Sequence, residues 1–245
     1  TIVLWFGYKI GGPVLQEVVS VSWIPSLGAS FSIGIDGISL SLIVLTALLS
    51  FLSMLYVKDD TNQVKLHATL FLIMETGLLG VFASRDLLLF YFFFEIAIVP
   101  MYFIIGIFGG ENRRYAAMKM FLYTRLGSLL MLVGFLWLYL AMPVPTFSLD
   151  AIIAANPLDG AGVGGVLAAL ALLIGFGIKL PFVPFHNWLP DAHVEAPTEG
   201  SVLLAGILLK LGGYGLISIL LPLLPAATQG LGRLILVIAL VSLFY

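Results

Sequence analysis

From Leu87 to Phe108 the chain carries a single charged side chain, Glu95, and four more stretches are apolar with at most two charges each. They are Ile38–Val57, Leu66–Ser84, Tyr115–Ala141 and Leu203–Pro222, the last with Thr198 as an earlier start. A helix crosses a bilayer with about 20 mostly apolar residues, so each run is long enough for one crossing. A sixth run, Val163–Leu180, ends against Pro181 and Pro184. Hydrophobic residues make up 61% of the 245 positions and charged residues 10%, where soluble domains carry roughly a quarter charged. This excludes a soluble globular protein, a disordered tail and a nucleic-acid binder, which needs a basic face. The net charge of −2 argues for no charged partner. Without cysteine there is no disulfide framework, no iron–sulfur ligation and no thioether-linked haem. The fold class expected is an all-α, polytopic transmembrane helix bundle whose sixth helix is discontinuous.

Five segments follow. Residues 1–8 read as the end of a truncated transmembrane helix, and 9–35 as an extramembrane loop. Residues 36–65 hold a transmembrane helix and a loop, 66–222 a five-helix unit broken at 163–195, and 223–245 the start of a further helix. The apolar stubs Thr1–Tyr8 and Leu231–Tyr245 are too short to cross, which predicts a fragment of a longer polytopic protein. Within the first loop, Val18–Trp23 and Phe31–Asp36 alternate with period two around Pro25, Ser26 and Gly28, the pattern of a β-hairpin. Gly162, Gly164 and Gly165 open the sixth span, where small residues let helices approach closely. The loops Lys58–Lys65 and Gly109–Arg114 carry four basic residues against Lys9 and Arg85 on the other side. That bias puts the first pair of loops in the cytoplasm or its equivalent and the hairpin outside.

Six charges fall inside spans: Glu75, Glu95, Lys119, Arg125, Lys179 and Lys210. A charge at mid-bilayer costs a few kcal/mol or more, so it is expected to turn inward and find a partner. Lys119 lies near its helix end and can snorkel. Arg125 keeps its proton and suits a structural ion pair. Glu75 is either such a partner or one member of a proton path. Glu95 sits among Phe90–Phe94, too deep to snorkel, with Tyr91 and Tyr102 on its helical face. There it is either a fixed salt bridge or a titrating carboxylate.

Lysine, unlike arginine, is a base that burial can make give up its proton. Lys210 lies mid-span between Gly206 and Tyr214. Lys179 lies where Pro181 and Pro184 remove helical hydrogen bonds to the Gly177 and Leu180 carbonyls. Carbonyls freed within a bilayer need protein or cavity water, so a lysine there predicts a hydrated pocket, as in transporters. The bland alternative is that Pro181 merely ends the span and Lys179 snorkels. His186, Asp191, His193 and Glu195 follow, at spacings that match no metal-ligand set; the histidines are proton shuttles or ordinary loop residues. Gly160–Gly165 fits G-x-G-x-x-G, but no strand precedes it, so no dinucleotide site is expected. Nor is a membrane haem, because His67, the remaining histidine, sits at a helix end.

Three motifs carry a family resemblance. Phe93-Phe94-Glu95-Ile96-Ala97-Ile98-Val99-Pro100-Met101-Tyr102 resembles the fifth transmembrane helix of the antiporter-like subunits of respiratory NADH:quinone oxidoreductase (complex I). Lys179-Leu180-Pro181-Phe182-Val183-Pro184-Phe185-His186-Asn187-Trp188-Leu189-Pro190-Asp191-Ala192-His193 is similar to the break in their seventh. Glu195–Thr198, continued by Leu204–Gly215, is similar to the eighth, in the form of the subunit M (chain 4) type. The resemblance covers the chain from Asp36 onward. It implies one inverted-repeat half of an antiporter-like fold, a Glu95–Lys179 ion pair and Lys210 as the lysine that passes a proton onward. His186, His193 and Glu75 are the further relay candidates, with His186 and His193 near the same axis.

The function implied is proton translocation coupled to quinone reduction elsewhere in complex I. The chain would be a non-redox part of the enzyme, holding no metal or other cofactor, with flavin and iron–sulfur clusters in partner subunits. Its partners would be other membrane subunits, above all neighbouring antiporter-like ones, and lipid, in a bacterial or mitochondrial inner membrane. A second reading is a subunit of a multi-subunit Mrp-type cation/proton antiporter, and a third is a membrane scaffold with static ion pairs.

Overall fold

The computed structural model describes residues 1–57, 63–158 and 162–244. Lys58 of the orientation argument and Gly160 and Ala161 of the glycine run lie outside them. After a short helix α1 (Ile2–Gly7), strands β1 (Gln16–Ile24) and β2 (Ala29–Ile35) pair antiparallel, with Val21 opposite Phe31. Then come α2 (Gly37–Tyr56), α3 (Val64–Ala83), α4 (Leu87–Phe108) and α5 (Arg113–Ala141). A short α6 (Leu149–Ala155) precedes α7 (Gly162–Lys179) and α8 (Trp188–Glu195). The rod α9 spans Thr198–Leu223, followed by α10 (Pro225–Gly230) and α11 (Gly232–Phe244). Among the described residues six helices are long and apolar enough to cross a membrane: α2, α3, α4, α5, α7 and α9.

Local chemistry sets the ends. Asp36 accepts the Ser39 N–H at 2.7 Å while Ser39 Oγ accepts the Asp36 N–H at 2.8 Å, a capping box that starts α2. Asp86 Oδ1 accepts from Leu88 and Leu89 N–H and caps α4. Its Oδ2 accepts from the backbone and hydroxyl of Ser30 on β2, and Arg85 N–H donates to the Ser32 carbonyl at 2.8 Å. The hairpin is therefore fastened to the start of α4 through a carboxylate that is 1% exposed.

The helices meet where side chains are small, as membrane packing requires. Gly127 on α5 and Gly175 on α7 face each other; a Cβ on Gly175 would lie 2.8 Å from the Gly127 carbonyl oxygen. The glycines that open α7 do less than their sequence promised. Gly162 meets nothing, Gly164 only the far edge of Trp137, and Gly165 the Leu158 carbonyl of the preceding loop rather than a neighbouring helix. The close helix contact of α7 lies instead at its middle and end. Asp86→Ala should lower stability by about 2 kcal/mol, the upper range for a lost cap. Asp86→Asn, which keeps the acceptor for Leu88 and Leu89 but sets an NH2 group against the Ser30 N–H, should recover only part of it, read by thermal unfolding in lipid nanodiscs.

Candidate functional site

Lys179 is the last residue of α7 and is 3% exposed. Its ammonium lies 5.7 Å from the centroid of the Phe94 ring on α4, a cation–π contact, and among the described residues it makes no ion pair or hydrogen bond. Beyond it the chain turns without helix until Trp188. The Phe182 N–H donates to the Gly177 carbonyl at 2.8 Å, and the buried indole Nε1 of Trp188 donates to the Ile178 carbonyl at 3.0 Å. Protein groups thus satisfy carbonyls near the Pro181 break. A cavity of about 220 Å³ flanks it, with walls that are apolar, among them Leu173, Phe182, Pro184 and Ile238. The hydrated pocket expected beside Lys179 is therefore not formed by this cavity.

Glu95, one residue past Phe94, is mostly buried, and its Oε2 pairs with the guanidinium of Arg125 on α5. Its Oε1 is buried without a hydrogen-bond partner among the described residues. The Glu95–Lys179 pair implied by the motifs is not made in this structure. Arg125 projects from the adjacent α5 and takes the carboxylate, while the aromatic face of Phe94 holds the lysine. Arg125 makes the ion pair expected of it, with Glu95 rather than Glu75 as partner. Glu75, on α3, is half-buried and makes no ion pair or hydrogen bond among the described residues.

Lys210 lies on α9 between two π-helical turns, Leu204–Leu208 and Leu216–Leu220. Wider turns break the i to i−4 ladder, and Lys210 Nζ donates to the Ala205 carbonyl. Its side chain opens onto a cavity of about 650 Å³ shared with Ser41, Leu42, Leu180 and Tyr214. Leu180 follows Lys179 directly, so the two lysines flank one packing contact. Gly212 makes it: a Cβ there would lie 2.5 Å from the Phe176 carbonyl oxygen and 2.7 Å from the Leu180 nitrogen. Tyr214, one turn past Lys210, donates its hydroxyl to the Phe82 carbonyl of α3 at 3.1 Å.

His186 is half-buried in the turn and its carbonyl accepts the Leu189 N–H. His193 is half-buried on α8, and its carbonyl accepts from Ser201. The sequence reading missed three tethers. Lys119, read as snorkelling, pairs with Asp191 of α8 at 2.5 Å. The Glu195 carboxylate accepts the Asn112 N–H, and His67 lies against Glu199. Each joins residues far apart in the chain, so no local spacing signals it.

A model of the family described as NADH:quinone oxidoreductase/Mrp antiporter, TM, matches residues 84–245. The chain belongs to that family. It is 43% identical to NADH-quinone oxidoreductase subunit M of Rickettsia bellii, over 100% of this chain and 49% of the relative. Among solved structures, the respiratory complex I from Thermus thermophilus with bound NADH matches with a TM-score of 0.85 and 32% identity, over 97% of this chain and 49% of that one. The Mrp complex from Dietzia matches with a TM-score of 0.73 at 22% identity, over 87% of this chain and 23% of that one, a likeness of fold alone. The chain spans about half the length of the curated relatives it matches. Membership in this family makes it an integral, multi-pass membrane protein with the antiporter-like helix bundle.

Trp188→Phe keeps the packing but removes the donor to the buried Ile178 carbonyl. It should cost about 1–3 kcal/mol, seen as a lower unfolding temperature.

Proposed function

We propose that the chain translocates protons as part of NADH:quinone oxidoreductase, in a bacterial or mitochondrial inner membrane, without redox chemistry or a cofactor of its own. Flavin and iron–sulfur clusters belong to partner subunits in this reading, and neighbouring antiporter-like subunits flank it. The observation that carries it is Lys179: a basic group buried at a helix break, resting on the ring of Phe94, the residue before a carboxylate with one oxygen uncommitted. Glu95 can take Lys179 on Oε1 while Arg125 stays on Oε2. Two charges 4 Å apart interact by about 4 kcal/mol at an effective dielectric of 20. Moving one charge across 100 mV costs about 2.3 kcal/mol. Making or breaking the Glu95–Lys179 contact is thus large enough to decide whether Lys179 holds its proton. The contact at Gly212 brings the α9 rod against the end of α7, and Lys210 receives the proton through water. His186, His193 and Glu75 are auxiliary relay groups.

The family description also covers Mrp antiporters, which keeps a cation/proton antiporter subunit as the second reading. The 43% identity to a subunit M favours the first. Purifying the full-length protein from its native membrane separates them: flavin and iron–sulfur subunits should co-purify, and their absence overturns the complex I reading. In the assembled complex, Lys179→Ala and Lys210→Ala should each lower proton pumping by roughly 10²-fold or more. Pumping that survives both substitutions would leave a scaffold with static ion pairs.

A further inference from the structure

One end of the bundle, where α3, α5 and α9 begin and α2 and α4 finish, is held by three acidic side chains spaced four residues apart. Asp191 pairs with Lys119, and Glu195 accepts from Asn112. The third, Glu199 in the first turn of α9, has its Oε1 3.1 Å from His67 Nε2 on α3. The His67 side chain is 0% exposed and boxed by the rings of Phe71 and Phe108, with centroids 4.7 and 4.6 Å away. The contact with Glu199 is off the line of a straight hydrogen bond, and Nδ1 has no partner among the described residues.

Deeper in, α2 contributes buried hydroxyls at Thr46, Ser50 and Ser53. Thr46 donates back to the Leu42 carbonyl at 2.7 Å, as hydroxyls in membrane helices commonly do. Ser50 and Ser53 do not, and their Oγ atoms are buried without a partner among the described residues. Such a group costs about 1–3 kcal/mol, a cost that an ordered water removes.

The register places these atoms. α2 and α9 run antiparallel, and Gly206 meets Leu49: a Cβ there would lie 2.4 Å from Leu49 Cδ1. Counting about 1.5 Å per residue from that contact, Ser53 is level with Val202, Ser50 with Ala205 and Thr46 with Leu209. Along the axis the hydroxyls therefore lie between the levels of Glu199 and Lys210, whose own side chain is exposed beside Ser41 and Leu42. At about 100° per residue, all three lie on one side of Leu49, the buried side of α2, and α2 packs on α3 as well as on α9.

We propose that the seam among α2, α3 and α9 is a hydrated proton inlet running from the His67–Glu199 pair past Ser53 and Ser50 to Lys210. It rests on the reading of Lys210 as a proton carrier. The pair holds one exchangeable proton between Nε2 and Oε1. Passing it inward to water leaves a neutral ring beside the Glu199 anion, and a proton from the membrane face restores the pair. No bond between heavy atoms changes. Among the other charged or titratable groups on the surrounding elements, Lys65 and Glu111 are exposed. Glu195 is held by Asn112, Arg113 donates to the Gly109 carbonyl, and His193 lies on α8. Lys58, Asp59 and Asp60 of the α2–α3 connection lie outside the described residues. Glu199 is the charge that acts on His67.

The test uses the full-length protein in its assembled complex. Ser50→Cys and Ser53→Cys should react with a small water-soluble thiol reagent much faster than Ala117→Cys, which is buried at similar depth on α5. Equal protection of all three overturns the inlet. Glu199→Gln should lower pumping by about 10²-fold, and the Ser50→Ala/Ser53→Ala pair should lower it in a complex that still assembles, since neither hydroxyl bonds to protein among the described residues. Normal pumping in both, with Lys210→Ala inactive, overturns the inlet and leaves the proposed function standing. Normal pumping in Lys210→Ala overturns the function itself.

Discussion

Ending α7 at Lys179 leaves carbonyls without helical partners in the interior of a bundle where bulk water is excluded, and much of the central architecture answers that need. The Phe182 N–H folds back onto Gly177 and the Trp188 indole reaches Ile178. Trp188 must be buried to do so, which fixes the start of α8, and Asp191 on that helix then meets Lys119. The break also frees the end of α7 to receive α9, and only a residue without a side chain fits there: Gly212 lies against the Phe176 carbonyl and the Leu180 nitrogen.

The helices and the hairpin were legible because their signals are local. Twenty apolar residues, a period-two run and a pair of prolines each report on their own neighbourhood, and the ends agree within a few residues. The small helix α6 was read as loop because seven residues carry no usable periodicity. The π-helical turns around Lys210 leave no mark in composition at all.

The charges divide along the same line. Their depth was legible, and so was the need for partners. Which partner each takes was not. Arg125 and Glu95 are separated by 30 residues, Lys119 and Asp191 by 72. Spacing cannot choose between Glu75 and Glu95 for Arg125; only the packing of α4 on α5 does. The motif-based pairing of Glu95 with Lys179 is not the one this structure records: Arg125 takes the carboxylate and the Phe94 ring takes the lysine.

The two oxygens of Asp86 serve different masters: one the first turn of α4, the other the hairpin strand. With Arg85 bonded to Ser32 as well, the strand and the helix start are joined at three backbone and side-chain points. The ribbon is thereby tied to the first turn of the helix that carries Phe94 and Glu95. Phe94, whose ring lies against Lys179, and Glu95 follow about two turns further along that helix.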